Sequence, residues 1–181
     1  MSLVYVIEDD PTMADVIALA ARSTVLFDIN GQETHPDVQV FNDAVEPISE
    51  MNSELPDVIL LDVLLSGPDG FTFLNELISY HDTAKIPVAL ITSLDMSDRN
   101  LEHYGVFRTL DKGTMTPEDI RDAVLEGIEK KMSAPELGVQ KLNQQLRQIE
   151  GETPRSLPTA QSQNTPAQAP SEPTNPESNA V

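Results

Sequence analysis

The stretch DVILLDVLLSGPDG, residues 57–70, constrains the fold more than any other part of the chain. Four apolar residues, Val58–Leu61, run without a break into one carboxylate, Asp62. A short, continuous apolar run is typical of a strand buried on both faces, as in a parallel sheet covered by helices. The chain must therefore bury this strand inside a layered structure that has an acid at the strand's carboxyl end.

Strand-like and helix-like segments alternate through residues 1–132. Short apolar runs predict strands at Leu3–Ile7, Val38–Phe41, Val58–Leu61, Val88–Ile91 and Val106–Leu110. Helical spacing and capping residues predict helices at Thr12–Ser23, Asp43–Met51, Phe71–Ser79, a short helix capped by Ser97, and Thr116 to about Lys131. Five such units predict an α/β fold, with a doubly wound, five-stranded parallel sheet between helices.

The charge and composition exclude several classes of protein. Thirty acidic residues against 11 basic ones give a net charge of −19, which disfavours nonspecific binding to nucleic acid. The chain has no cysteine, so disulfides and thiolate chemistry are excluded. The N-terminus lacks the basic region of a signal peptide, and no apolar stretch approaches the ~20 residues of a membrane span. We expect a cytoplasmic protein without membrane insertion.

The C-terminal part of the chain divides into two segments. Residues 152–181 are rich in Pro, Gln, Ser and Thr and have little to bury, so we expect them to be disordered. In residues 133–151, Ser133 to Glu136 fits a capping box, and apolar residues follow at Val139, Leu142, Leu146 and Ile149. This spacing favours a short amphipathic helix that forms a coiled coil or docks on a partner. A helix folded back on the domain, or only partly formed, is the alternative.

Polar residues follow four strands of the predicted sheet. Glu8 and Asp9 follow the first strand, Asp62 the third, Thr92 the fourth and Lys112 the fifth. Taken singly, each of these residues would usually be a turn former, a helix cap or a surface residue. Together they are notable because ligands of doubly wound sheets bind at the carboxyl ends of the strands. Grouped carboxylates favour Mg2+, and Asp62 could attack phosphorus while Lys112 and Thr92 meet the phosphoryl oxygens. The set predicts phosphoryl transfer to Asp62.

Residues 1–132 resemble the receiver domain of bacterial two-component response regulators, which has a flavodoxin-like fold. The matching motifs are VYVIEDDPTM, PDVILLDVLLSGPDGF, IPVALITS and GVFRTLDKG. Gly70 stands eight residues after Asp62, and Gly105 stands seven before Lys112, as in that family. The resemblance implies phosphorelay signal transduction by a phosphoprotein that accepts its phosphoryl group from a sensor histidine kinase or a phosphotransfer protein.

The resemblance also implies a role for each site residue. Asp62 is the phosphoacceptor, and Mg2+ is bound by Asp9, Asp62 and the backbone carbonyl of Leu64, with Glu8 acting through a metal-bound water. Thr92 and Lys112 bind the phosphoryl oxygens, whereas Asp10 is expected to cap the first helix.

Several positions depart from the family pattern. Thr109 stands where the family usually has an aromatic residue, and Phe107, two positions earlier, is expected to face the same side of the sheet. Gly113 replaces a proline after the lysine, and Ser66 replaces a common loop proline. The connection 24–37 is long for the family.

Three functions are compatible with the sequence. The first is a stand-alone receiver, not an enzyme beyond slow autodephosphorylation, that switches its affinity for a downstream protein effector. It has no DNA-binding domain after Met132 and could dimerise through a receiver face or the tail helix. The second is a pseudo-receiver that binds partners without phosphorylation. The third, a phosphatase of the haloacid dehalogenase type, is disfavoured because Leu64 occupies the position of that family's general acid.

Overall fold

The computed structural model describes residues 2–150, with side chains for residues 2–133. Its main sheet has five parallel strands in the order β4-β1-β5-β6-β7. The strands are β1 (Leu3–Ile7), β4 (Asp37–Phe41), β5 (Val58–Leu61), β6 (Val88–Thr92) and β7 (Val106–Asp111). The doubly wound parallel sheet predicted from the sequence is confirmed. Strand β5, the apolar run that ends at Asp62, lies at the centre, and all four of its residues are buried.

Four α-helices cover the sheet: α1 (Pro11–Arg22), α2 (Glu46–Glu50), α3 (Gly70–Ser79) and α4 (Pro117–Glu150). Carboxylates cap two of them, since Asp10 Oδ1 accepts from Met13 N at 2.8 Å and Asp69 Oδ1 accepts from Thr72 N at 2.8 Å. Such a bond satisfies one of the free N–H groups in a helix's first turn. The predicted role of Asp10 as a helix cap is confirmed.

Two apolar layers lie on opposite faces of the sheet. Along β1, Tyr5 and Ile7 belong to the layer that includes α3, whereas Val4 and Val6 belong to the layer that includes α1 and α4. This alternation follows from the two-residue period of a strand. Because both faces are covered, the strands consist of nearly continuous apolar runs.

The short helix expected after Ser97 is wrong. Between β6 and β7 the described chain forms turns and one 3-10 turn, Glu102–Tyr104. Side chains hold these turns: Asp95 Oδ1 accepts from Ser97 N at 2.9 Å, and Asn100 Oδ1 accepts from Glu102 N at 3.3 Å. Such local bonds compete with helix formation, which explains why a capping residue was not followed by an α-helix here.

The long connection 24–37 contains a small antiparallel hairpin, β2 (Leu26–Phe27) and β3 (Glu33–Thr34). Its turn is organised by Asp28, whose Oδ1 accepts from Asn30 N and Gln32 N, both at 2.8 Å. Gly31 has φ +75°, a left-handed conformation that glycine adopts without strain. The connection that is long for the family is therefore a defined hairpin, which directly precedes β4 in the chain.

Helix α4 continues past its predicted end near Lys131 and reaches Glu150. Ser133, expected to cap a separate helix, instead donates from Oγ to the carbonyl oxygen of Glu129 at 2.9 Å, one turn earlier in the same helix. The segment 152–181, predicted to be disordered, lies outside the described residues. Among those that are described, no helix is both long and apolar enough to cross a membrane.

Candidate functional site

Asp62 lies at the carboxyl end of the central strand, with only 2% of its surface exposed. Its N–H donates to the carbonyl oxygen of Ile7 at 2.9 Å, which ties it to the neighbouring strand. Behind it, a Cβ atom at Gly70 would lie 2.6 Å from the carbonyl oxygen of Asp62 and 2.7 Å from Cα of Val63. Only glycine fits at this position, because α3 starts directly against the backbone of the acid.

Lys112 joins the two most buried carboxylates of the site. Its Nζ donates to Oδ2 of Asp62 at 2.8 Å and lies 2.7 Å from Oε2 of Glu8. Burial raises the pKa of Glu8 above its ordinary value, against the opposing effect of the lysine. Burial works against the charged form of Lys112 as well, but its bonds to Asp62 and Glu8 raise its pKa overall. The lysine is therefore held charged among the acids.

Asp9 is the more accessible of the three acids. Its Oδ2 accepts from the hydroxyl and from the N–H of Ser66, and the hydroxyl bond is the main cause that lowers the pKa of Asp9. The sequence alone did not assign Ser66 a contact in the site, because nothing in its spacing places this loop serine near Asp9. Ser66 and Asp9 come together only in the folded chain.

Three carboxylates come together as the sequence predicts. Glu8, Asp9 and Asp62 each offer an oxygen, and these oxygens lie within 4.8 Å of one another. Two of these carboxylates, on Glu8 and Asp62, are buried, and Lys112 is a cation partner of both. Three hard oxygen donors on clustered carboxylates fit Mg2+. When bound, such an ion supplies positive charge against the carboxylates and the phosphoryl oxygens.

Thr92 lies at the carboxyl end of β6, next to β5 in the sheet, and Leu64 lies two residues after Asp62. Thr92 ends β6 and is fully buried, its Oγ1 accepts from Leu94 N at 3.2 Å, and its carbonyl accepts from Lys112 N at 3.2 Å. Leu64 N donates to Oδ1 of Asp62 at 3.0 Å. The roles expected of the Thr92 hydroxyl and of the Leu64 carbonyl stay predictions.

The family model of the response regulator receiver domain matches residues 4–125. This chain belongs to that family. Two solved structures share the fold of this receiver, each covering 98% of its own chain. One is a putative response regulator from Chloroflexus aurantiacus J-10-fl, 23% identical over 71% of this chain with a TM-score of 0.58. The other is the Francisella response regulator 1452 receiver domain, 23% identical over 72% with a TM-score of 0.57.

Curated relatives of the receiver are longer proteins. It is 32% identical over 104 residues to the DNA-binding dual master transcriptional regulator RpaA of a Synechocystis strain, which covers 58% of this chain and 39% of the relative. It is 33% identical over 99 residues to a protein-glutamate methylesterase/protein-glutamine glutaminase of Rhodopseudomonas palustris, covering 50% and 25%. Response regulator PleD of Caulobacter vibrioides is 55% identical over 42 residues, covering 23% and 9%. The match is thus to parts of these proteins.

The expectation that Phe107 faces the same side as Thr109 is wrong for this receiver. Val106 pairs with Val88 and Arg108 pairs with Ala89, so Phe107 is an extra residue in β7 at a bulge. Phe107 packs with the α1 and α4 layer, near Gly127. Thr109 pairs with Leu90, which belongs to the opposite layer.

Gly113, in place of the family's proline, makes a bond that proline cannot make. Its N–H donates to Oδ1 of Asp111 at 2.7 Å, directly after β7. The next turn continues with Met115 N donating to the carbonyl oxygen of Asp111 at 2.8 Å. The segment after Lys112 is therefore fixed by hydrogen bonds from backbone N–H groups to the side chain and the carbonyl of Asp111.

Proposed function

We propose that this receiver is a Mg2+-dependent phosphoryl acceptor, with Asp62 as the nucleophile. The observation that supports this proposal best is the position of Lys112, 2.8 Å from Asp62 and 2.7 Å from Glu8. An oxygen of Asp62 forms the new P–O bond, and the P–N bond of a phosphohistidine breaks with its electron pair leaving on the imidazole. The donor is the histidine of a sensor kinase or of a phosphotransfer protein.

The residues around Asp62 would have separate tasks. Glu8 and Asp9, with Asp62, would hold the metal ion. Lys112, already charged in this pocket, would shift from the carboxylate of Asp62 to an oxygen of the transferred group. The hydroxyl of Thr92 would donate to another oxygen.

The output we propose is a changed affinity for a protein partner, with no enzymatic turnover beyond slow loss of the phosphoryl group and no DNA binding of its own. The high negative charge of the chain supports this proposal, because it opposes contact with phosphate backbones.

Gel mobility on a phosphate-affinity matrix after incubation with acetyl phosphate tests the proposal. The wild-type band should shift only with Mg2+, and Asp62→Asn should abolish the shift. Asp10→Asn is the matched control, because this neighbouring acid caps α1, and asparagine also caps a helix. Absence of a shift in a folded wild-type chain would instead favour the pseudo-receiver, which binds its partners without phosphorylation.

A further inference from the structure

Helix α4 is fixed to the receiver through its first half. Ile120, Ala123 and Val124 lie in the core beside the sheet. Nζ of Lys131 then donates to the carbonyl oxygen of Pro56 at 2.7 Å and lies 2.9 Å from Oδ1 of Asp57. The backbone continues as helix to Glu150. At 1.5 Å per residue, the part beyond Lys131 is roughly 28 Å long.

The sequence of α4 carries apolar residues at a seven-residue repeat. One set of positions is Leu125, Met132, Val139 and Leu146, and the second is Ile128, Pro135, Leu142 and Ile149. The intervals alternate three and four along the whole series, which is the a/d pattern of a coiled coil. Ile128 packs in the receiver's own core, whereas Met132 is exposed, so the part of this series that is open to a partner begins at Met132.

Pro135 is the one interruption in this series. It lacks the N–H that would bond to the carbonyl of Lys131, so it weakens the helix locally just beyond the anchor. It still occupies an apolar position of the repeat. The continuity of the pattern on both sides indicates one seam.

Exposed apolar residues gather where α4 leaves the receiver. Met132 is 72% exposed, and Phe27 of the hairpin is 68% exposed. Leu26 and Phe27 face Leu125, Ile128 and Met132 across a groove between the hairpin and α4. A cluster of this kind next to an a/d stripe marks an interaction surface.

The charge of the helix permits a second copy of the chain as its occupant, and the matching of two identical seams favours it. The whole chain carries −19, which opposes contact between two copies. Residues 129–150, however, hold three acids and four bases, a net charge of +1. Two identical seams also match in length and in the order of their apolar positions, as coiled-coil partners require.

We propose that two copies of this chain associate through a parallel α4–α4 coiled coil from Met132 to Ile149. The parallel orientation places the two exposed hairpins at the same end, where the grooves can close over apolar residues of the partner. An antiparallel pair would separate them by the length of the seam. This inference goes beyond the proposed phosphoryl transfer and does not depend on it.

Cysteine cross-linking tests the orientation and the face of the helix, since the natural chain has no cysteine. Under mild oxidation, Leu146→Cys should give a disulfide-linked dimer, because like positions meet across a parallel seam. Gln144→Cys, which lies outside the a/d positions of the repeat, is the control and should give little. Equal cross-linking of both variants, or none at Leu146→Cys, would overturn the proposal.

Light scattering coupled to size exclusion tests the association itself. The wild-type chain should show twice the mass of 19.8 kDa and dissociate on dilution. Leu142→Asn with Leu146→Asn should be monomeric, whereas Gln144→Asn with Gln148→Asn should not. These positions follow Lys131, the last recorded anchor of α4, so the fold of the receiver should persist in circular dichroism.

A monomeric wild type, or a dimer that survives the leucine substitutions, would contradict the proposal. Asp62→Asn should dimerise normally, which separates this test from that of phosphorylation.

Discussion

Nζ of Lys112 lies 2.8 Å from Oδ2 of Asp62 and 2.7 Å from Oε2 of Glu8, so one cation serves two buried acids. Burying like charges costs free energy unless each is paired with an opposite charge. Here the carboxylates of Glu8 and Asp62 share one lysine. The negative charge of the pocket is therefore partly offset by the same lysine that we propose to bind the transferred phosphoryl group.

Lys112→Ala should destabilise the receiver in the absence of metal by about 3 kcal/mol, because it leaves buried acids unpaired. Mg2+ should still bind and recover part of this loss, while the conformational response to phosphorylation should weaken. Urea unfolding with and without Mg2+ measures the first effect. Lys130→Ala removes an exposed lysine 3.8 Å from Glu126 and should have little effect. Equal stability of the two variants, or an unchanged response to phosphorylation, would count against the assigned role.

Gly70→Ala should destabilise the receiver by about 2 kcal/mol or more, because the new Cβ would overlap the backbone of Asp62 and Val63. Gly113→Ala is a matched control, since its Cβ would meet only Oδ1 of Asp111, at 3.2 Å. Chemical denaturation of both variants gives the comparison. A small loss at Gly70 would mean that α3 can move away from the site at little cost.

Ser66→Ala should strengthen Mg2+ binding about threefold, because the hydroxyl that now stabilises the free carboxylate of Asp9 is removed. The N–H bond of residue 66 to Asp9 remains, so the loop should keep its position. Titration calorimetry with Mg2+ measures the change. Ser97→Ala, in a loop after β6, should leave the affinity unchanged. Weaker binding in Ser66→Ala would show that the serine supports the metal site.

Asp69 should stabilise the receiver at neutral pH but not in strong acid. The N–H of Thr72, followed by its hydroxyl, lowers the pKa of Asp69 below its ordinary value of 3.8. A group with a lowered pKa in the folded state contributes stability above the unfolded value, and this contribution is lost as pH falls through the folded value. Urea unfolding of wild type and Asp69→Asn should differ at neutral pH, and the difference should shrink as the pH falls below the ordinary carboxyl pKa of 3.8. A difference independent of pH would contradict this.

Features set by local pattern were predicted well from the sequence. Strand β5 has the bounds expected from its four apolar residues, because a continuous apolar run leaves no other way to be buried. The convergence of Glu8, Asp62 and Lys112 also followed, since parallel strands bring their carboxyl ends to one edge of the sheet.

Features that depend on competing hydrogen bonds, on strand irregularities or on contacts distant in sequence were predicted poorly. Ser97 looks like a helix cap, but Asp95 takes its N–H into a turn. The position of Phe107 depends on a bulge in β7, and alternation along a strand gives no warning of one extra residue. Likewise, the bond from Ser66 to Asp9 joins residues 57 positions apart, beyond the reach of local spacing.

Strand β5 is bracketed by two acids with different duties. Asp57, before it, holds Lys131 at the base of the long helix, and Asp62, after it, is the acid that we propose as the phosphoacceptor. In protein engineering, β5 should therefore be kept together with the acid on each side of it. A chimera that exchanges α4 while keeping the pocket must retain a lysine at position 131 to pair with Pro56 and Asp57, or lose the contacts that hold the helix beside β5.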